Sequence, residues 1–453
     1  APRSPQFKRV FDSVNQFLND VSAYATEAAD AAPNILPKLE TWRDVFRSPI
    51  SADDSKAIAT PIFEGTLSWA RDPDGRLVRS RDLQQRYVNM DVERKKQMLL
   101  ERRRISEAQI KSWQNLPNEA YEGAIRNRFE SEFLQDGVVF TDAELRQHFG
   151  LTSGQIKLYR EFRAAADKSL MILAKTEMLR YGGEDVAPMR EVVMDAETAE
   201  DAAQLLSDTL MQMADDQPQR RAVLLDAAGK MVEKAGKVRE LMDRGYAPLS
   251  RFGQYTLDVV DANGERVYFG MFDTQFAANR MKRKMRENYP GATLRSGTVS
   301  EEAYKMFSGI SPETLEIFGE MVGLEGSGDR AQDKMFQQYL KLAKANRSAM
   351  KRLVHRKGIA GFSEDAGRVL AGFVYSNARL ASTNMHTNTI NHAVAAIDPT
   401  KDGQGQLRDM AQKLADYVRN PQEEAQKIRG MLFAQYLGGS LASAFVNLTQ
   451  PVA

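Results

Sequence analysis

The sequence contains no cysteine. Disulfides, thiolate nucleophiles and cysteine-ligated zinc are thereby excluded together. It also has almost no net charge, since 62 Lys and Arg face 61 Asp and Glu to leave +1 at pH 7. No whole-molecule field draws such a chain to nucleic acid or to an anionic membrane, so either contact must come from local patches. Histidine is scarce. His386 and His392 are six apart and do not share a helical face, and His148 and His355 lie in unrelated segments, so neither a metal nor a cofactor is expected. A Walker loop, a GxSxG elbow and a polymerase signature are all missing, and no fixed-period repeat occurs.

What is present is ordinary for a globular chain: 42% hydrophobic and 27% charged residues over 453 positions, enough for two to four domains. The dominant period is helical. Tyr159, Phe162, Ala166, Leu170 and Leu173 recur at three and four, predicting a long helix that stops at Gly182-Gly183. Leu224, Ala228, Met231, Ala235, Val238 and Met242 predict a second, started by Asp216 and Pro218. These stripes read as core faces.

The exception is a strand pattern. Tyr255, Leu257 and Val259 precede Asn263-Gly264, and Val267, Phe269 and Met271 follow it, which predicts a hairpin. Asp273 or Thr274 caps a helix to about Asn288, and Tyr289-Pro290-Gly291 stops it before a third strand at Thr293-Leu294-Arg295. The fold class is therefore mainly α, with long helices in a bundle-like or extended arrangement and one small ββαβ module. Turn clusters at Ser48 to Asp54 and at Asp72-Pro73-Asp74-Gly75 set off an N-terminal helical arm with linkers, residues 1–80. A helical region follows over 81–245, then a corner and the ββαβ module over 246–300, and a C-terminal helical region over 301–453. A further joint falls at Leu324 to Asp329.

Charge is concentrated locally. Arg280, Lys282, Arg283, Lys284 and Arg286 put five cations in seven positions, a surface suited to phosphate contact without base readout, or to an acidic partner. Lys351, Arg352, Arg356 and Lys357 form another run with the same readings. Arg94-Lys95-Lys96 and Arg102-Arg103-Arg104 sit beside Glu93 and Glu101, so ion pairing accounts for them. The stretch from Thr141 to Ile156 has a helix-turn-helix outline, but its second helix continues far past recognition length, so an αα-hairpin is expected. The last 24 residues, Gly430 to Ala453, are uncharged. Small residues at Gly438, Gly439, Ala442 and Ser443 suit a helix-packing seam or a membrane span, the former being preferred because Gln435, Asn447 and Gln450 oppose insertion.

Gly245 to Gly253, centred on Pro248-Leu249-Ser250-Arg251-Phe252-Gly253 and continuing as Gln254-Tyr255-Thr256-Leu257, resembles the signature of PLxRFG-domain proteins, very large bacteriophage proteins carried in the virion. His355 to Asp365, Arg368-Val369-Leu370, Tyr375 to Arg379, and Gly438-Gly439 through Asn447 to Pro451 are similar to the helical region that follows the motif in those proteins. The similarity spans about the second half of the chain, with a looser echo at Phe140 to Asp167. Read from the residues alone, Pro248, Leu249, Arg251, Phe252 and Gly253 form a rigid corner, with proline fixing φ and glycine admitting positive φ.

The resemblance implies an internal virion, or ejection, protein. Such a protein is packaged in the capsid, delivered with the genome, and assembled as a homo-oligomeric channel or scaffold across the bacterial envelope. Its partners would be other ejection, portal or tail proteins, genomic DNA bound non-specifically, and the host membrane. Its location would be the virion interior and, after delivery, the envelope or cytoplasm. The alternative is a polyvalent carrier region beside an enzyme domain, a virion RNA polymerase or transglycosylase, whose ββαβ module binds DNA or a host factor. Glu130-Ser131 is similar to the catalytic pair of lytic transglycosylases, but the glycine and glutamine motifs are absent, so no enzyme activity is assigned to this segment. Lack of thiols suits passage between redox compartments. The first residues, Ala1-Pro2-Arg3, and the helical pattern at the last residues are read as a processed product or a piece of a larger chain.

Overall fold

The structure is a computed structural model and describes residues 5–36, 50–134, 137–247, 253, 255–264, 266–298, 361–400 and 404–419. Within them the chain is mainly α. The helices are α1 (Pro5–Ala29), α2 (Ala52–Leu67), α3 (Ser80–Val88), α4 (Val92–Glu101), α5 (Glu107–Trp113), α6 (Asn118–Phe133), α7 (Asp142–Phe149), α8 (Ser153–Gly182), α9 (Arg190–Asp195), α10 (Ala199–Asp216), α11 (Arg221–Asp243), α12 (Gln275–Asn288), α13 (Ala366–Ala395) and α14 (Gln404–Arg419). Strands β1 (Trp69–Arg71) and β2 (Leu77–Arg79) form a hairpin, and β3 (Tyr255–Val260), β4 (Arg266–Phe272) and β5 (Thr293–Thr298) form a sheet ordered β4-β3-β5.

Side-chain caps set many of the helix starts. Ser51, Asp91, Ser106, Thr141, Thr152, Thr198, Thr274 and Asp365 each accept a backbone N–H from the third helical residue. Each cap satisfies one of the donors a helix start leaves unpaired. Both predicted long helices are present, and the first ends at Gly182 as its glycine pair predicts. Leu224, Ala228, Met231, Ala235 and Val238 are buried against neighbours within the chain.

Helix α8 is the axis of the main core. It packs against α1, α2, α9, α10, α11 and α13, and from Ile156 to Leu179 its buried residues fall on every face. Polar side chains on it are each claimed by a different element. Glu161 accepts from the Asn34 backbone N–H at 2.9 Å, Asn377 Nδ2 of α13 donates to Ser169 Oγ at 3.0 Å, and Lys175 Nζ donates to the Met194 carbonyl at 3.0 Å. Lys234 of α11 pairs with Glu177 at 2.9 Å.

Two expectations about organisation change. Among the described residues of the first 80 there is no detached arm: Val10, Val14, Phe17 and Val21 of α1 are buried in the main core, where α1 lies along α13. An amphipathic stripe announces that a helix has a buried face without naming its partner, and here the partner is more than 300 residues away. Asp72 to Gly75, read as a linker, is the turn of the β1–β2 hairpin. Asp72 Oδ1 accepts from the Asp74 and Arg76 N–H groups at 3.0 and 2.9 Å, and strands of three residues are too short to show a period.

The α1–α13 contact contains a half-buried ionic knot. Asp20 accepts from His386 Nε2 at 2.7 Å and from Arg190 at 2.5 Å, and His386 is edge-on to Phe17. Burial pushes the Asp20 carboxyl up, but hydrogen bonding and charge from His386 and then Arg190 outweigh it and hold the carboxyl below the ordinary range. Burial, and next the Asp20 charge, push the Tyr24 phenol up to about 12. A carboxyl with a depressed native pKa stabilises the fold above its unfolded pKa, and that contribution fades as pH falls through the native value. Asp20→Asn should therefore cost about 1–3 kcal/mol at pH 7. In urea melts the deficit should shrink steadily as the pH drops below ~4.

Candidate nucleic-acid interface

The segment around the hexapeptide is held at both ends by glycines that no other residue replaces. Gly245 has φ +62°, and a Cβ there would lie 2.5 Å from the Val138 carbonyl oxygen. Tyr246 and Ala247 are buried in the helical core, with the Tyr246 ring 5.9 Å from Phe373 and its carbonyl accepting from Arg163 at 2.5 Å. Gly253 has φ +117°, and a Cβ there would fall 1.9 Å from the Phe272 carbonyl carbon. Pro248, Leu249, Arg251 and Phe252 lie outside the described residues. Residues 245–247 thus belong to the helical core, and the module begins with the strand that follows Gly253.

The ββαβ module has the predicted order. β3 pairs antiparallel with both β4 and β5, so β4 and β5 run parallel to each other and α12 crosses between them. The hairpin loop is closed by Asp261, whose carbonyl accepts from Gly264 N–H at 3.1 Å and whose Oδ1 accepts from Asn263 N–H at 2.9 Å. Of the two candidate caps, Thr274 is the one used, accepting from Ala277 N–H at 3.2 Å. Leu257, Val259, Tyr268 and Met285 form the module's own small core between sheet and helix. Third-strand pairing extends to Thr298, beyond the three residues expected.

Among the described residues, two contacts hold the module on the helical body. Asp273, just before α12, accepts from Arg368 of α13 at 3.0 Å. Gly361, at φ +115°, runs so close to β4 that a Cβ would sit 2.1 Å from the Phe269 carbonyl oxygen. The opposite face of β3 is buried as well, through Thr256 and Asp258.

Helix α12 therefore has a fixed inner and outer side. Ala278 and Met285 face the sheet, and Lys282 Nζ donates to Ser296 Oγ of β5 at 2.9 Å. Arg280, Arg283, Lys284 and Arg286 are exposed, and none has an ion pair among the described residues. One of the five predicted cations is thus used to tie helix to sheet, and four remain for solvent or ligand. Lys351 and Arg352, and the seam at Gly438, Gly439, Ala442 and Ser443, lie outside the described residues.

The basic runs around α4 are largely occupied. Lys96 pairs with Glu93 at 2.6 Å, Arg102 with Asp74, and Arg104 with Glu132 at 3.7 Å, while Lys95 is buried with its ammonium 5.7 Å from the centre of the Phe129 ring. The helix-turn-helix outline is an αα-hairpin: Gln155 binds Asp54 at 3.0 Å, Arg160 binds Asp142 at 2.7 Å, and α8 is enclosed. Among the described residues no carboxylate and histidine group is arranged to hold a metal, and no helix is long and apolar enough to cross a membrane.

Beside Arg163, sequence reading missed Asp167. Burial pushes its carboxyl up to about 6, opposed by the Arg163 charge and reinforced by Asp243. A raised native pKa means the ionised carboxylate opposes folding, a penalty absent below the unfolded pKa and complete above about 6. Asp167→Asn should raise stability by about 1–3 kcal/mol at pH 7.5, with the gain vanishing at pH 3.5 in matched urea titrations. Gly253→Ala should lower stability by about 2–4 kcal/mol, against ~1 kcal/mol for Gly264→Ala, where a Cβ meets open space.

No family model, curated protein or solved structure matches the chain, so the reading of this surface rests on its own residues.

Proposed function

We propose that this chain is a region of a bacteriophage internal virion, or ejection, protein. It travels with the genome, assembles as a homo-oligomeric channel or scaffold for DNA delivery, and meets DNA through the outer face of α12. The observation that carries the nucleic-acid part is the contrast in charge pairing. On and after α4, Lys96, Arg102 and Arg104 pair with carboxylates, whereas Arg280, Arg283, Lys284 and Arg286 have no ion pair among the described residues and project from a helix whose one acid is Glu287. Cations without base-edge readers give sequence-independent, salt-sensitive binding, which suits a protein that touches a whole genome in passage. The ordered resemblance to PLxRFG-domain phage proteins supports the virion setting, and the absence of cysteine is compatible with it.

Assembly is supported by apolar side chains left outside the core on one helical hairpin. Met211 of α10 and Val223, Leu225 and Val232 of α11 are 40%, 68%, 41% and 54% exposed. Other ejection, portal or tail proteins and the host membrane are the further partners of this reading. The polyvalent carrier beside an enzyme domain is the second reading, favoured by the module's separate small core.

Three measurements separate the parts. A DNA duplex titrated against the chain should show log affinity falling with log salt at a slope of about −3, as expected when three or four phosphates are neutralised. Arg283→Glu with Lys284→Glu should flatten that slope by about 2 and weaken binding roughly tenfold or more at low salt; an unaltered slope would remove α12 from the contact. Light scattering should find a closed oligomer, converted by Leu225→Asp with Val232→Asp to a monomer of unchanged melting temperature. A wild-type monomer would retire the conduit and leave the carrier.

A further inference from the structure

Neither the fold nor phosphate contact uses Phe276. Its side chain stands in the first turn of α12 and is 71% exposed. At 100° per residue it lies opposite Ala278 and Met285, the residues that bury against the sheet, and in line with Arg280 and Arg283 one and two turns further on. A single exposed apolar side chain is unremarkable on a protein surface. A phenyl ring on a rigid helix, in a row with cations that have no ion pair among the described residues, is a different object. Aromatic faces stack on any nucleobase, and guanidinium groups a turn away take the adjoining phosphates or add a cation–π contact. Tyr289 places a second, 37% exposed ring at the far end of the helix, ~20 Å along its axis.

Stacking needs a base whose face is free, and a duplex hides its base faces inside the stack. We infer that the ligand of α12 is single-stranded nucleic acid, with a base stacked on Phe276 and the neighbouring phosphates held by Arg280 and Arg283. An apolar protein groove would match the ring but not the surplus cations, and a duplex would match the cations but leave the ring unused. This inference rests on the proposed contact between α12 and nucleic acid and narrows it to one strand form.

The test uses the whole chain and fluorescence anisotropy at 50 mM salt, with three labelled probes of equal length: a mixed-sequence DNA single strand, its duplex, and the same strand carrying abasic sites. The wild-type chain should prefer the intact single strand. Phe276→Ala should weaken that binding about 5- to 100-fold, leave the salt slope and duplex affinity unchanged, and bring intact and abasic strands to the same affinity. Phe276→Trp should restore it. The exposed position leaves the core intact, which a matched melting curve checks. If the wild-type chain binds but Phe276→Ala binds every probe equally well, the stacking inference is overturned and phosphate contact stands. If the wild-type chain binds none of the probes, the contact itself falls and the inference with it.

Discussion

The enclosure of helix α8 is the constraint on which the rest of the structure depends. A helix of 30 residues with buried positions on every face cannot be purely apolar without becoming indifferent to the order of its neighbours. Here Glu161, Ser169, Lys175 and Glu177 are buried along it, and each must find a partner or leave a polar group unsatisfied at a cost of about 1–3 kcal/mol. The loop after α1, α13, the end of α9, and α11 supply those partners in turn. Lys175 shows how this works: burial holds its ammonium below the usual lysine range, and the carbonyls of Met194 and Ala196, at the end of α9, accept its hydrogen bonds. The apolar stripes provide the driving force, and the polar residues between them decide which helix sits where.

The same body positions the candidate interface. Gly245 lets the chain leave α11 beneath the Val138 carbonyl, Gly253 brings it against the end of β4, and Gly361 brings a distant segment against the same strand. All three adopt positive φ at places where a side chain would collide with backbone. With β4 fixed from two directions and Asp273 held by Arg368, α12 can turn only one side outward. That side carries the unpaired cations and Phe276, whereas Lys282 is drawn in toward β5.

Electrostatics then distinguishes surfaces that look alike in composition. A near-neutral chain can hide a local excess of charge because many of its other cations are paired: Arg71 with Glu144, Arg79 with Glu64, Arg220 with Asp185. Exposed pairs of this kind add little stability, but they silence a cation as a ligand for phosphate. On the outer face of α12 the helix's one carboxylate, Glu287, forms no ion pair among the described residues, so Arg280, Arg283, Lys284 and Arg286 keep a surplus of positive charge.

By itself the sequence determined the elements. Periods of three and four gave α8 and α11, Asn263-Gly264 gave the hairpin, Tyr289-Pro290-Gly291 stopped α12, and five clustered cations marked the candidate interface. These signals are local, carried by dihedral preference and by the side on which apolar groups recur. Tertiary structure decided the rest: that α1 packs on α13, that Asp72 to Gly75 closes a hairpin of three-residue strands, that Asp20 meets His386 and Arg190, and that four of five cations face outward. Those facts depend on which buried donor meets which acceptor across hundreds of residues, and helical periodicity carries no information about partners. Phe276 reads as one more apolar residue in the sequence. Only the packing of Ala278 and Met285 against the sheet turns it to solvent, because a helix that buries one side must expose the opposite one.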